Sequence, residues 1–84
     1  MIAMETRVAV LSIIVESPDA VAPLNELLHA YSGYIVGRMG IPYRSRGISV
    51  ICVVIDAPMD RINQLTGSLG RIAGIRAKAA CSSL

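Results

Sequence analysis

Three arginines, Arg38, Arg44 and Arg46, flank or lie within the segment Gly40–Gly47, and they are the side chains best placed for ligand chemistry. A planar guanidinium group binds the two oxygens of a carboxylate or a phosphate in pairs. Pro42 and the glycines at both ends favour a shaped loop. The segment is therefore predicted to bind an anion. The alternative is a solvated loop that keeps a sheet edge soluble.

The other side chains able to do chemistry are one histidine and two cysteines. His29 is predicted on the outer face of a helix, where it is a solvent-facing residue or, alternatively, a ligand contact or a pH sensor. Cys52 lies in an aliphatic strand and is predicted to be a buried, inert thiol, whereas Cys81 is assigned no function. Neither a CxxC motif nor a zinc-type Cys/His spacing is present. We therefore predict no metal site, no cofactor and no catalytic residue.

Length and composition limit the class of protein. With 84 residues there is room for one domain, predicted to span 1–84 with a core at about 7–80. Hydrophobic residues make up 54% of the chain and charged residues 17%, which excludes a disordered chain. The net charge of +2 is too small to indicate nucleic-acid binding. The apolar run at 8–15 is too short to span a bilayer, so a cytoplasmic location without membrane contact is expected.

The hydrophobic pattern positions these side chains on six elements in the order strand, helix, strand, strand, helix, strand. This order is typical of an α+β, ferredoxin-like βαββαβ sandwich, with a four-stranded antiparallel sheet and two helices on one face. Right-handed crossovers place strands one and three in the centre of the sheet. The predicted strands cover residues 7–15, 34–39, 48–56 and 75–80, and the predicted helices lie within 17–33 and 58–74.

The two central strands are apolar on both alternating faces, although both helices cover only one face. Large exposed apolar patches are rare on soluble monomers, so we predict a homo-oligomer, a dimer or a tetramer, built on the uncovered face. Two glycines on the outer face of the second helix would also allow close approach of a subunit or ligand; the alternative is a helix that is weak or broken near Gly67. The candidate interface residues are Val10, Ile13, Ile51, Val53, Ile55, Gly67 and Gly70.

Three sequence blocks carry a family resemblance: NELLH at 25–29, GRMGIPY at 37–43 and LTGSLGRIAGI at 65–75. Together they resemble the iron-only hydrogenase system regulators, which have an ACT-like ferredoxin fold, and the likeness extends from about Arg7 to Lys78. The fold is also similar to the effector domain of nickel-responsive regulators. Their metal site needs several histidines, so nickel is not expected here.

The resemblance implies a binding role as well as a fold. ACT-like domains usually assemble through their sheets and bind small effectors, often amino acids, at subunit interfaces. By analogy, the turn 16–19 and the region 38–46 are candidate binding elements. The candidate effector-binding residues are Ser17, Asp19, His29, Arg38, Gly40, Pro42, Arg44 and Arg46.

Three functions follow from these observations, in decreasing order of support. The first is a non-enzymatic regulatory module, linked to an iron-only hydrogenase system, that senses a small anionic or amino-acid-like effector at a subunit interface. The second is a protein–protein interaction module without a small ligand. The third is an acylphosphatase-like enzyme, which Glu16 and Asp19 disfavour because two acids after strand one repel phosphate. Direct DNA binding is not expected, since no helix-turn-helix or ribbon segment is evident.

Overall fold

A computed structural model describes residues 5–83, so residues 1–4 and 84 of the predicted domain lie outside the described residues. The sheet order is β2-β3-β1-β4 and every pairing is antiparallel. The predicted ferredoxin-like fold, with strands one and three in the centre, is confirmed. The elements are β1 (Arg7–Val15), α1 (Val21–Ala30), β2 (Ile35–Tyr43), β3 (Ile48–Ala57), α2 (Met59–Gly70) and β4 (Ile75–Cys81).

The hydrophobic core lies between the helices and one face of the sheet. Alternate residues of β1 and β3 point to this face because successive side chains of a strand alternate between faces. Each helix adds apolar residues three or four positions apart, which form one stripe. Neither helix within residues 5–83 is long and apolar enough to cross a membrane. The core residues are Ala9, Leu11, Ile13, Val15, Ala20, Leu24, Leu28, Ile51, Val53, Ile55, Ala57, Ile62, Leu65 and Leu69.

The first helix begins where the sequence predicts. The Ser17 hydroxyl oxygen accepts a hydrogen bond from the Asp19 backbone N–H at 3.3 Å, and Pro18 occupies the first position of a 3₁₀ turn. Proline is tolerated there because the first amides of a helix have no partner in the helix. The turn Pro18–Ala20 leads directly into α1 at Val21. The turn after β1 is thereby held at one end of the sheet.

The predicted loop 40–47 is wrong in its first half. β2 continues through Pro42 to Tyr43, which pairs with Ile48, and only Arg44–Gly47 forms the turn to β3. Pro42 does not interrupt β2 because an edge strand lacks a neighbour on one side and tolerates a missing N–H. Gly47 closes the turn with φ +67°, and its N–H donates to the Arg44 carbonyl oxygen at 3.1 Å.

The second helix is continuous through Gly67, so the alternative of a break there is wrong. The chain then reverses at Gly74, which has φ +86° and packs against the turn after β1. The Glu16 backbone N–H donates to the Gly74 carbonyl oxygen at 2.7 Å. A Cβ at Gly74 would lie only 2.7 Å from the Ser17 Cβ. The connection between α2 and β4 therefore fixes the position of the turn that begins α1.

We expect Gly74→Ala to lower the free energy of unfolding by about 1–3 kcal/mol, because the left-handed backbone and the contact with Ser17 both disfavour a side chain. Gly47→Ala, which has the strain but no atom within 4 Å of the new Cβ, should cost about 1 kcal/mol. Gly33→Ala has neither and serves as the control. Urea unfolding measures all three, and a Gly74→Ala protein as stable as the control would contradict this packing.

Candidate functional site

The sheet face opposite the helices, here called the open face, is apolar and uncovered. Residues directly opposite each other on neighbouring strands have their side chains on the same face of the sheet. Met39 pairs with Cys52 and Ile41 pairs with Val50, and these four side chains lie on the open face. The polar residues of the open face lie mainly at its β4 side and at one end of β3. The exposed apolar side chains of the open face are Val8, Val10, Ile14, Met39, Ile41, Tyr43 and Val50.

The structure corrects four of the predicted interface residues. Ile13, Val53 and Ile55 have no exposed area, and Ile51 is buried beside them, because this set of alternate residues faces the helices. A side chain that is already buried in one chain cannot contact a second copy, so the prediction is wrong for these four. Val10 does lie on the open face.

Two polar residues of the central strands mark the open face, whereas Ser49 at the start of β3 belongs to the other alternate set. Ser12 and Asp56 occupy the same alternate positions as Val10 and Val50, and these positions face away from the helices. A polar side chain in a central strand avoids the core, because burial without a hydrogen bond is costly. The remaining predicted interface residues, Gly67 and Gly70, are exposed on α2.

A second feature is a cleft of about 400 Å³ at the hairpin end of the sheet, here called the hairpin cleft. One wall is the turn after β1, with Ser17 and Pro18, and the other is the end of the β2–β3 hairpin, with Pro42 and Arg44. These segments are distant in sequence, and the fold brings them together because β3 pairs with both β1 and β2. The other lining residues are Val15, Val21, Gly47, Ile48 and Ser49.

Arg44 is the charged residue that lines the hairpin cleft. The Ser17 hydroxyl oxygen accepts the Asp19 N–H, which leaves its own O–H free to donate toward a ligand. Ser49 adds a second hydroxyl group, whereas Arg46 lies in the same turn as Arg44 but does not line the cleft. The hairpin cleft thus offers one guanidinium group and two hydroxyl groups on otherwise apolar walls.

The structure separates the other predicted effector-binding residues from the hairpin cleft. Arg38 donates from Nη2 to the Asn25 Oδ1 at 3.0 Å and so connects β2 to α1. His29 is exposed in the last turn of α1, about 12 Å along the helix from Val21 at the cleft. Gly40 pairs with Ile51 within the sheet. Asp19 and Arg46 are exposed neighbours outside the lining.

Sequence reasoning missed the lining residues supplied by α1 and β3. Val21 and Ile48 read as ordinary hydrophobic residues, and only the tertiary arrangement brings them to the hairpin cleft. Ser49 carried the one available signal, since it is a polar residue inside the aliphatic β3.

No metal-binding group emerges from the described part of the chain. Within residues 5–83, no group of three or more His, Cys, Asp or Glu side chains could hold a metal ion. Cys52 is half-buried on the open face rather than fully buried, because the helices cover only the other face of β3. Cys81 is an exposed free thiol at the end of β4.

Comparison with known proteins identifies a family and solved structures with a similar fold. Residues 7–79 match the model of the TM1266-like family, described as "Iron-only hydrogenase system regulator, putative". Among solved structures, the chain is similar to the uncharacterized protein TM1266 from Thermotoga maritima, with 37% sequence identity and a TM-score of 0.88. The alignment covers 92% of this chain and 98% of that chain. No curated protein matches significantly.

The two sheet faces of β3 allow a direct test of the corrected assignment. Val53→Ala should cost about 2–3 kcal/mol of unfolding free energy, because it removes two methyl groups from the closed core. Val50→Ala, the same change on the open face, should cost less than half as much in dilute protein. Urea unfolding at low protein concentration measures both, and equal or reversed costs would contradict the assignment of faces.

Proposed function

The chain belongs to the family described as "Iron-only hydrogenase system regulator, putative", and from this membership we propose a non-enzymatic regulatory module that senses a small effector. The effector is an amino-acid-like or other small anion that binds in the hairpin cleft. The module is a homo-oligomer assembled through the open face. The system that it regulates is the iron-only hydrogenase system of the family description.

The observation that carries this proposal is the composition of the hairpin cleft. Arg44 contributes a positive charge, and no carboxylate residue is among the lining residues. A small carboxylate or phosphate fits this arrangement, since a hydrogen bond from a guanidinium group to an anionic oxygen is stronger than one between neutral groups. The apolar walls formed by Val15, Pro18 and Val21 suit an aliphatic portion of the same ligand.

The open face supports the oligomeric part of the proposal. Its apolar side chains form a contiguous surface across β2, β3 and β1, which is unusual for a monomer of 84 residues. A second copy presents the same surface, so two copies related by a two-fold axis bury it on both sides. Obligate interfaces between subunits are more hydrophobic than transient ones, and the apolar open face fits the obligate kind.

The position of the hairpin turn links the two features. Tyr43 and Ile48 flank the turn and belong to strands whose open-face side chains form the oligomer surface. An effector that contacts Arg44 and Gly47 restricts the turn between them. By linkage, an effector that binds one assembly state better than another shifts the population toward that state.

An acylphosphatase-like activity gains no support from the turn after β1. Glu16 lies at the start of this turn, where its Oε1 accepts from Arg76 Nε at 3.0 Å. No arginine belongs to the turn itself, so it does not form a phosphate cradle.

Arg44→Gln should weaken effector binding about tenfold to a hundredfold, because it removes a charged hydrogen-bond donor worth about 1.5–3 kcal/mol. Arg46→Gln is the matched control, since it makes the same change in the same turn outside the cleft. A thermal-shift screen of amino acids, nucleotides and inorganic phosphate identifies a ligand, and calorimetry then measures its affinity for each variant. Equal losses in both variants, or no ligand in any class, would contradict an anion site at Arg44.

Val50→Lys should shift the oligomer toward monomer, because it places two like charges in a two-fold apolar interface. Met59→Lys is the control: Met59 lies on α2 and is 37% exposed, against 39% for Val50. Light scattering behind size exclusion measures the mass of each variant. A monomeric unsubstituted protein, or a control that dissociates as readily, would be evidence against assembly through the open face.

A further inference from the structure

We propose that the outer edge of β4 binds an extended acidic segment of a partner protein, which adds to the sheet as a fifth strand. This inference does not depend on the effector, and it concerns the β4 margin of the open face, where Arg76 pairs with Ile14 and Lys78 pairs with Ser12. β4 is the last strand in the order β2-β3-β1-β4 and pairs only with β1 among the described residues. The Ile75 N–H donates to the Ile72 carbonyl oxygen at 3.3 Å, and beyond it alternate residues of β4 present backbone groups without a strand partner at the outer edge.

A groove of about 650 Å³ borders β4 and extends onto the open face, where Ser12 and Ile14 of β1 line it. Gly70 of α2 lies on its helix side together with Ala77, and neither residue has a side chain larger than a methyl group. No atom lies within 4 Å of the position that a Cβ at Gly70 would occupy. A second backbone can therefore approach β4 without meeting α2, as strand addition requires.

The charges at this edge define the chemistry of the partner. Arg76 and Lys78 line the groove two residues apart on the same face of β4. Residues two apart in a strand lie about 6.4–6.8 Å apart, so carboxylates at alternate positions of the added strand match both cations. The other positions of that strand face Gly70 and Ala77 and should be small or aliphatic.

The existing ion pair at this edge does not block the partner. Arg76 Nε contacts Glu16 Oε1 at 3.0 Å, and both side chains are substantially exposed, at 77% and 46%. Exposed pairs of this kind contribute little to stability, so a partner carboxylate can replace Glu16. Within residues 5–83, no carboxylate forms an ion pair with Lys78.

The same charges exclude a second copy of this chain from the β4 edge. Antiparallel pairing of β4 with another β4 would bring two sets of cations together, and like charges on opposed strands are destabilising. The other edge differs, because the Arg38 guanidinium on β2 is bound to Asn25 and the open-face side chains of β2 are apolar. The β4 edge therefore selects an acidic strand over its own sequence.

The experiment uses the full chain and a fluorescent ten-residue peptide in which Glu and Val alternate. Anisotropy measures binding, and amide hydrogen exchange locates it. We expect the Glu-Val peptide to bind in a salt-dependent manner and to slow exchange of β4 amides. A Lys-Val peptide, and a Glu-Val peptide with Pro at two central positions, should bind at least about tenfold more weakly.

The matched variants are the double substitutions R76Q/K78Q and R46Q/R61Q, which remove the same charge from different surfaces. R76Q/K78Q should weaken the Glu-Val peptide about tenfold, and R46Q/R61Q should leave it within about twofold. Four results would overturn the proposal: no Glu-Val binding, equal weakening by both variants, protection at β2 instead of β4, or equally tight binding of a single-stranded oligothymidine at Arg76 and Lys78. The last would identify a general polyanion surface.

Discussion

The antiparallel pairing of β1 with β3 forms the centre of the sheet, and each edge strand attaches to one member of this pair. It extends without a bulge from Arg7 opposite Ala57 to Val15 opposite Ser49, and it determines which side chains share a face. One alternate set packs under α1 and α2 and forms the core. The other set is also largely aliphatic but has no helix above it. The fold therefore buries only one of the two aliphatic faces of its central strands.

Three surface features follow from this arrangement, and two of them adjoin, because Ile14 belongs to the open face and also lines the groove beside β4. The open face is the unburied half of the central strands. The hairpin cleft forms where the end of β1 meets the β2–β3 turn, because β3 pairs with both neighbours. The groove beside β4 carries the cations Arg76 and Lys78, whereas the open-face side chains of the other edge strand, β2, are apolar.

Element order and strand order were predictable from the sequence, because six well-separated hydrophobic patterns and the handedness of crossovers leave few topologies. The interface was predicted poorly: Ile13, Ile51, Val53 and Ile55 are core residues. Both alternate sets of residues in the central strands are aliphatic, so hydrophobicity does not indicate which set the helices cover. The polar residues Ser12 and Asp56 mark the uncovered set, but they are a weak signal. Of the candidate site, Ser17, Pro42 and Arg44 meet in the cleft. Arg38 and His29 do not, because Arg38 binds Asn25 and α1 runs away from the hairpin, which places His29 in its last turn at the far end.

Whether a second copy of the chain covers the open face is tested by an isotope-filtered NOE experiment on a mixture of methyl-labelled and unlabelled protein, since only contacts between copies give a signal. We expect intermolecular NOEs to the methyl groups of Ile41, Val50 and Ile14, and none to those of Leu24 or Leu65 in the core. Intermolecular contacts confined to the helices, or an absence of contacts at concentrations where the protein is fully assembled, would contradict this expectation.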